Sequence, residues 1–366
     1  MKSIFLYAYD KQNLGDDLFI QYITGRYPDA RFCLWSDKAS RKTFADIPNL
    51  RVIDRDSALV RFLHKLRPSL AAQYKGMIES RCDAVVYIGG SIFIEYPNWE
   101  QICTWWEWMA QNRPFYVLGA NFGPYHTEAY REKMAEVFKN CRDICFRDRY
   151  SYQLFREADT VRYAPDILFS CPIPLVPQKD NQVFISVIDC SVRDDLAVYA
   201  RQYSENMAEF IRRLRKEGRE IVLASFCRAE GDEDGIRKIT DVLGQTDGIR
   251  VLCYDGTNRN EMLTAIAESG FVVGTRFHAV ILALAAGKPV LPVIYSDKTK
   301  HVLEDIGFNG TVYDLRTNTE RGYGNSINLK AINVKNKNYL NNSIYKSVIL
   351  ASKNHFSKLE ATLRLK

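Results

Sequence analysis

Residues 270–298 read Gly-Phe-Val-Val-Gly-Thr-Arg-Phe-His-Ala-Val-Ile-Leu-Ala-Leu-Ala-Ala-Gly-Lys-Pro-Val-Leu-Pro-Val-Ile-Tyr-Ser-Asp-Lys, and no other stretch limits the fold so strongly. Phe271–Val273 is a short apolar run, Gly274-Thr275 breaks it, and Ala279–Ala286 has the composition of a buried helix closed by Gly287 and Pro289. Pro289–Tyr295 is a second buried strand. The order is therefore strand, tight turn, helix, strand. Arg276 and His278 fall between the first strand and the helix, where four backbone N–H groups lack helical partners. An anion fits such a place.

The same alternation runs through the rest of the chain. Before residue 170, apolar runs at Ser3–Tyr9, Arg31–Trp35, Arg51–Asp54, Ala84–Ile88, Phe115–Leu118, Ile144–Phe146 and Val161–Tyr163 read as strands, most of them separated by helical segments. Cys171–Asn181 holds three prolines in six positions and sustains neither a helix nor a central strand. Strands then resume at Val183–Ile188, Glu220–Phe226, Ile249–Tyr254, Phe271–Val273 and Val290–Tyr295. The expected fold class is α/β, with two Rossmann-like domains facing across a cleft. The expected boundaries are residues 1–170 for the first domain, 171–181 for the linker and 182–320 for the second domain. Residues 321–366 form an Asn/Lys-rich segment with a helix over Tyr339–Leu365.

Composition narrows the function classes. A net charge of +6 suits small anions or an acidic membrane surface, and no nucleic-acid module is recognisable. Nine cysteines without a Cys-x-x-Cys pair read as thiols in a reducing compartment, against a disulfide framework and against a metal site. The apolar run after Lys2 ends at Asp10, too short for a signal peptide, and no run reaches membrane-spanning length. The expected location is cytoplasmic. Leu59–Arg67 is a basic amphipathic stretch that reads as a helix with one solvated face. The alternative is peripheral contact with anionic lipid head groups at the inner face of the membrane.

In open parallel sheets, ligands gather beyond the carboxyl ends of the strands. Candidate binding residues are accordingly Asn13, Gly15 and Asp16 after the first strand, Gly89 and Gly90 after Ala84–Ile88, Glu95 as a carboxylate for a sugar hydroxyl, and Arg147 after Ile144–Phe146. Plain structural readings compete with each: Asp16 as a helix cap, Gly89-Gly90 as a bare turn, Glu95 on the surface, and Arg147 paired with Asp148 or Asp166. Trp105 and Trp108 share a helix face and read as packing residues. Arg276 offers a planar fork for carboxylate or phosphate. His278 lies in the field of a helix start, which favours the neutral ring that a general base needs. Lys298 adds a cation at the next strand end.

The run Gly274-Thr-Arg-Phe-His-Ala279, continued by Ala286-Gly-Lys-Pro-Val290 and Tyr295-Ser-Asp-Lys298, resembles the carboxyl-terminal signature of the polysaccharide pyruvyltransferases. Asn13-Leu-Gly-Asp-Asp17, Gly89-Gly90, Arg147-Asp148 with Ser151, and Pro165-Asp166 are similar to further landmarks of that family, in the same order. Ser91 stands where many members have a third glycine. The resemblance implies a GT-B-like fold and transfer of a pyruvyl group from phosphoenolpyruvate to two hydroxyls of a sugar, forming a ketal and releasing phosphate. It implies Arg276 as the donor-binding residue, His278 as the acid/base, and neither metal nor cofactor. The acceptor would be a sugar or a lipid-linked oligosaccharide, met by the first domain. A nucleotide-sugar glycosyltransferase and a non-catalytic glycan- or anion-binding protein are the alternatives, since one fold hosts several functions.

Overall fold

The computed structural model describes residues 1–317 and 342–363, which divide into two compact units. The first comprises Met1–Asp10, Asp16–Ile167 and Leu350–Lys366, and the second Lys11–Gly15 and Leu168–Ile349. Residues 318–341 and 364–366, with Tyr339 and Leu365 at the two ends of the expected terminal helix, lie outside the described residues.

The first unit is built on strands β1 (Ser3–Tyr7), β2 (Arg31–Ser36), β3 (Leu50–Asp54), β4 (Ala84–Ile88), β5 (Phe115–Ala120), β6 (Asp143–Phe146) and β7 (Val161–Tyr163). They form one parallel sheet in the order β3-β2-β1-β4-β5-β6-β7. The chain winds outward in both directions from β1, so its topological switch point is the β1/β4 junction. Every residue of β5 is buried, as expected of a central strand covered on both faces.

The second unit repeats the plan with β8 (Lys179–Ser186), β9 (Glu220–Ser225), β10 (Ile249–Cys253), β11 (Ser269–Gly274), β12 (Val290–Ile294) and β13 (Tyr313–Asp314). Their order is β10-β9-β8-β11-β12-β13, all parallel, with the switch point between β8 and β11. Val183, Ile185, Phe271, Val273, Leu291 and Val293 line one face, against Met207, Phe210, Ile211 and Leu214 of the helix Ala200–Lys216. Burying a side chain of this size contributes about 1.5–3 kcal/mol. That cluster anchors the strand ends on which the site is built.

The structure adjusts several expectations. The final residues of the Pro-rich stretch, Lys179–Asn181, already belong to β8, and the first unit's continuous part ends at Ile167. The two-residue β13 carries too little apolar pattern to be read from sequence. In the helix Trp99–Asn112 the buried tryptophan is Trp106, packed with Cys103, Met109 and Ala110. Trp105 meets Tyr7 edge-on and Trp108 is exposed. The carboxyl-terminal segment is a helix Asn342–Ser352, a 3-10 turn Lys353–Phe356 and a short helix Ser357–Leu363. Its last part rejoins the first unit, where Arg26 pairs with Glu360 and Phe356 packs against Tyr22 and Tyr27. All nine cysteines are free thiols. Among the described residues no helix is long and apolar enough to cross a membrane.

Candidate active site

The helix Phe277–Ala285 starts directly beyond the carboxyl end of β11, at the switch point of the second sheet. Eight of its nine residues are buried, and the one that is not is His278. His278 thus places a partly open imidazole on the first turn of an otherwise buried helix. The turn before the helix is pinned across the switch point: the backbone N–H groups of Thr275 and Arg276 both donate to Ser186 Oγ on β8, at 2.9 and 3.1 Å.

The side chain of Arg276 does not stand open. Its Nε donates to both oxygens of Asp232, at 3.0 and 2.9 Å, Nη2 donates to Asp232 as well, and Nη1 donates to Glu230 Oε2 at 2.5 Å. Asp232 Oδ2 also accepts from the backbone N–H groups of Phe226 and Cys227, just past β9. Burial acts against the charge on Arg276, yet Asp232 and Glu230 hold it more firmly protonated than a free guanidinium. Burial likewise pushes the Asp232 carboxyl up, and the guanidinium fork and the two backbone donors pull in the opposite direction.

Glu230 links this buried pair to more open charge. Arg193 Nη2 donates to Glu230 Oε2 at 2.7 Å, and its guanidinium lies over the Tyr295 ring. Burial opposes ionisation of Glu230, but Arg276, Arg193 and Lys298 outweigh it and hold the carboxyl down at about 2. Lys298 Nζ stands 6.0 Å from the centre of the Phe277 ring. Arg276, Arg193 and Lys298 thus gather around Glu230, with Arg276 also paired to Asp232, beside a helix start. Cations gathered at such a place suit an anionic ligand.

The segment Lys11–Gly15 completes this cluster within the second unit. Asn13 pairs with Cys227 as an isolated antiparallel bridge, and the Leu14 N–H donates to the Phe226 carbonyl at 3.0 Å. Asn13 Nδ2 donates to Glu230 Oε1 at 3.2 Å, while Asn13 Oδ1 accepts from the Gly15 N–H at 3.1 Å. Gly15 lies against the imidazole: a Cβ added there would fall 2.5 Å from His278 Cε1 and nearer still to Cγ and Nδ1. Only a glycine allows this approach.

Asn13, Gly15, Arg276, His278 and Lys298 thus come together in the second unit, although sequence reading places Asn13 and Gly15 with the first domain. Gly89, Gly90, Asp16 and Arg147 belong to the first unit. A Cβ on Gly90 would fall 2.5 Å from Arg147 Nη2, so this glycine makes room for a guanidinium. Arg147 is buried, donating to Asp166 Oδ2 at 3.1 Å and Asn121 Oδ1 at 2.7 Å. The pairing with Asp166 that competed in the sequence is formed. A Cβ on Gly89 would fall 3.9 Å from Asp16 Oδ1. Glu95 stands apart from these groups. Its carboxylate accepts from the N–H groups of His126 and Thr127 and from Thr127 Oγ1, and so organises the start of the helix Glu128–Asn140.

Glu230, Asp232, Arg193 and Ser186 escape sequence reading. Glu230 and Asp232 follow β9, another carboxyl end of the same sheet, but Asp232, Glu233 and Asp234 look like an ordinary acidic first turn. Among the described residues no group of His, Cys, Asp and Glu is arranged to hold a metal ion.

A sequence profile of the family described as Polysaccharide pyruvyl transferase matches residues 13–297. The Amylovoran biosynthesis protein AmsJ of Erwinia amylovora is 23% identical over 262 residues, covering 64% of this chain and 62% of that protein. The chain thus spans less than two thirds of that relative's length. Among solved structures, the UDP-GlcNAc 2-epimerase of Neisseria meningitidis bound to UDP-GlcNAc is similar with a TM-score of 0.62 at 11% identity, covering 99% of this chain and 100% of that one. Sucrose-phosphate synthase from Thermosynechococcus elongatus gives 0.57 at 10%, and Anabaena Alr3699/HepE in complex with UDP and glucose gives 0.56 at 14%, each covering 100% of this chain and 98% of the other. Likeness at such identities speaks to the fold, which is GT-B-like, with two parallel α/β sheets.

Proposed function

The chain belongs to the polysaccharide pyruvyl transferase family, and from that premise we propose that it moves a pyruvyl group from phosphoenolpyruvate onto two hydroxyls of a sugar in a polysaccharide precursor. The observation that supports this reading is His278, the one residue of the helix Phe277–Ala285 that is not fully buried, at a switch point beside a cluster of cations.

The chemistry needs a proton on the methylene carbon of the donor, a bond from the first hydroxyl oxygen to the central carbon, and displacement of phosphate by the second hydroxyl oxygen. One phosphoenolpyruvate and one diol yield a ketal and inorganic phosphate. A sugar hydroxyl is too weakly acidic to add unaided, so His278 takes its proton in the addition step. Arg193 and Lys298 present charge to the donor anion and to the departing phosphate. Arg276, held by Asp232 and Glu230, fixes that cluster and the turn carrying His278, and bears on the donor from within it. Acceptor recognition is assigned to the first unit's loops at Asp16 and Gly89-Gly90, with Arg147 ordering the latter.

The test is phosphate release from phosphoenolpyruvate with a panel of galactose, mannose, glucose and amino-sugar acceptors, free and lipid-linked. Release with at least one acceptor, lost in His278→Ala, supports the reading. No release with any acceptor, together with a thermal shift by nucleotide sugars and none by phosphoenolpyruvate, would replace it with a glycosyltransferase.

A further inference from the structure

The helix Ala58–Leu66 of the first unit turns its apolar side outward. Leu59, Phe62 and Leu66, spaced three and four residues apart, lie on one line of the helix and are 52%, 59% and 56% exposed. The buried residue of this helix is Val60. Single exposed apolar side chains are ordinary, but three large ones in a row are not. The following helix, Pro68–Ser80, adds Met77 at 42%.

Charge says what covers this face. From Ser57 to Ile78 the sequence holds no aspartate or glutamate, but contains Arg61, His64, Lys65, Arg67 and Lys75. Lys75 turns inward, its Nζ 3.6 Å from Glu79 Oε1 and over the Tyr7 ring. Arg61, His64, Lys65 and Arg67 are exposed, and the arginines and lysine form no ion pair among the described residues. Asp56 is the nearest exposed carboxylate in sequence, at the amino-terminal end. An apolar stripe flanked by unpaired cations complements an anionic lipid surface, where acyl chains take the side chains and head groups take the charge. A second copy of the chain would bring the same cations against themselves. A solvated face, the reading favoured by sequence alone, accounts for the cations but not for Phe62 and Leu66.

We propose that the helix Ala58–Leu66 is a docking surface for anionic lipid bilayers, with Leu59, Phe62 and Leu66 inserted and Arg61, Lys65 and Arg67 on the head groups. The proposal does not depend on the transferase reading, because its readout is binding to lipid.

The full chain is sedimented with vesicles of phosphatidylcholine alone and of phosphatidylcholine with phosphatidylglycerol. Binding to the anionic vesicles should exceed that to the neutral ones by on the order of a hundredfold at low salt and fall as salt is raised. The double variant Phe62→Glu, Leu66→Glu should lose binding while melting as the wild type does, and the triple variant Arg61→Gln, Lys65→Gln, Arg67→Gln should bind both vesicles alike. Equal binding of the wild type to both vesicles overturns the proposal, as does undiminished binding of the Glu variant. So does a dimer, seen by light scattering, that the Glu variant disperses while the wild type ignores vesicles.

Discussion

Gly15 sits against His278 with no room for a side chain between them. The two residues are far apart in sequence, and their contact holds the imidazole on its first-turn perch while Asn13, two residues before Gly15, reaches Glu230. A backbone edge beside the imidazole restricts the ring without a second side chain.

The substitution Gly15→Ala should therefore act on the ring and spare the fold. The added methyl would drive the imidazole out of its position, and we expect kcat to fall by about 10²-fold, the usual range for a misplaced general acid/base. Stability should change by less than about 1–2 kcal/mol. Steady-state kinetics and a urea melt of the same sample check both numbers.

Arg276 and His278 should separate cleanly by stability. Arg276→Ala leaves Asp232 buried without its guanidinium, a loss that costs about 3–5 kcal/mol. His278→Ala removes a partly exposed ring and should cost less than about 1 kcal/mol while abolishing turnover. Thermal unfolding of the two variants gives the comparison. Equal stabilities would mean that Arg276 is not the clamp of the cluster.

Glu230 gives the second unit an acid limit of known direction. Its folded-state carboxyl is depressed from 4.5 to about 2, burial being outweighed by Arg276, Arg193 and Lys298. Its contribution is present above the unfolded value and is lost as pH falls from about 4.5 through about 2. Glu230→Gln should reduce the steepness of acid unfolding in that window and leave the slope above pH 5 unchanged, as measured by urea melts at each pH.

His355 does the same for the first unit at milder pH. Buried on the 3-10 turn Lys353–Phe356 with Nε2 2.9 Å from the Pro165 carbonyl, it is pushed down from 6.5 to about 3 by burial and by the fields of Arg162 and Arg147. The unfolded chain takes up this proton near 6.5 and the folded chain does not. Stability is thus full above 6.5 and falls by about 1.4 kcal/mol per pH unit below it. Between pH 6 and 5, before carboxylates titrate, His355→Gln should remove about one proton from the slope.

Much of the architecture was legible because buried parallel strands leave continuous apolar runs: Ala84–Ile88 appears with the bounds read from sequence. The turn Gly274–His278 was legible as a candidate site because polar residues interrupt an apolar region. Its partners were not. Glu230 and Asp232 look like a capping turn until the sheet order puts β9 beside β8, and the approach of Gly15 to His278 exists only in three dimensions. Spacing alone favours Trp105 and Trp108 as packing residues, whereas the buried side of the helix is set by Cys103, Met109 and Ala110 and carries Trp106. Glu95, for which a sugar hydroxyl and a plain surface position compete in the sequence, has a carboxylate that accepts from the Thr127 N–H and hydroxyl, a contact no sequence pattern announces.

We propose that His278, beside the cation cluster, carries out pyruvyl transfer. Its most direct measurement is the full chain incubated with phosphoenolpyruvate and the acceptor panel, with phosphate followed in solution and the sugar product examined by NMR for a pyruvate ketal. Wild type should give phosphate and ketal in equal amounts, and His278→Ala, with its fold intact, should give neither. Ketal formation at the wild-type rate by His278→Ala would contradict it.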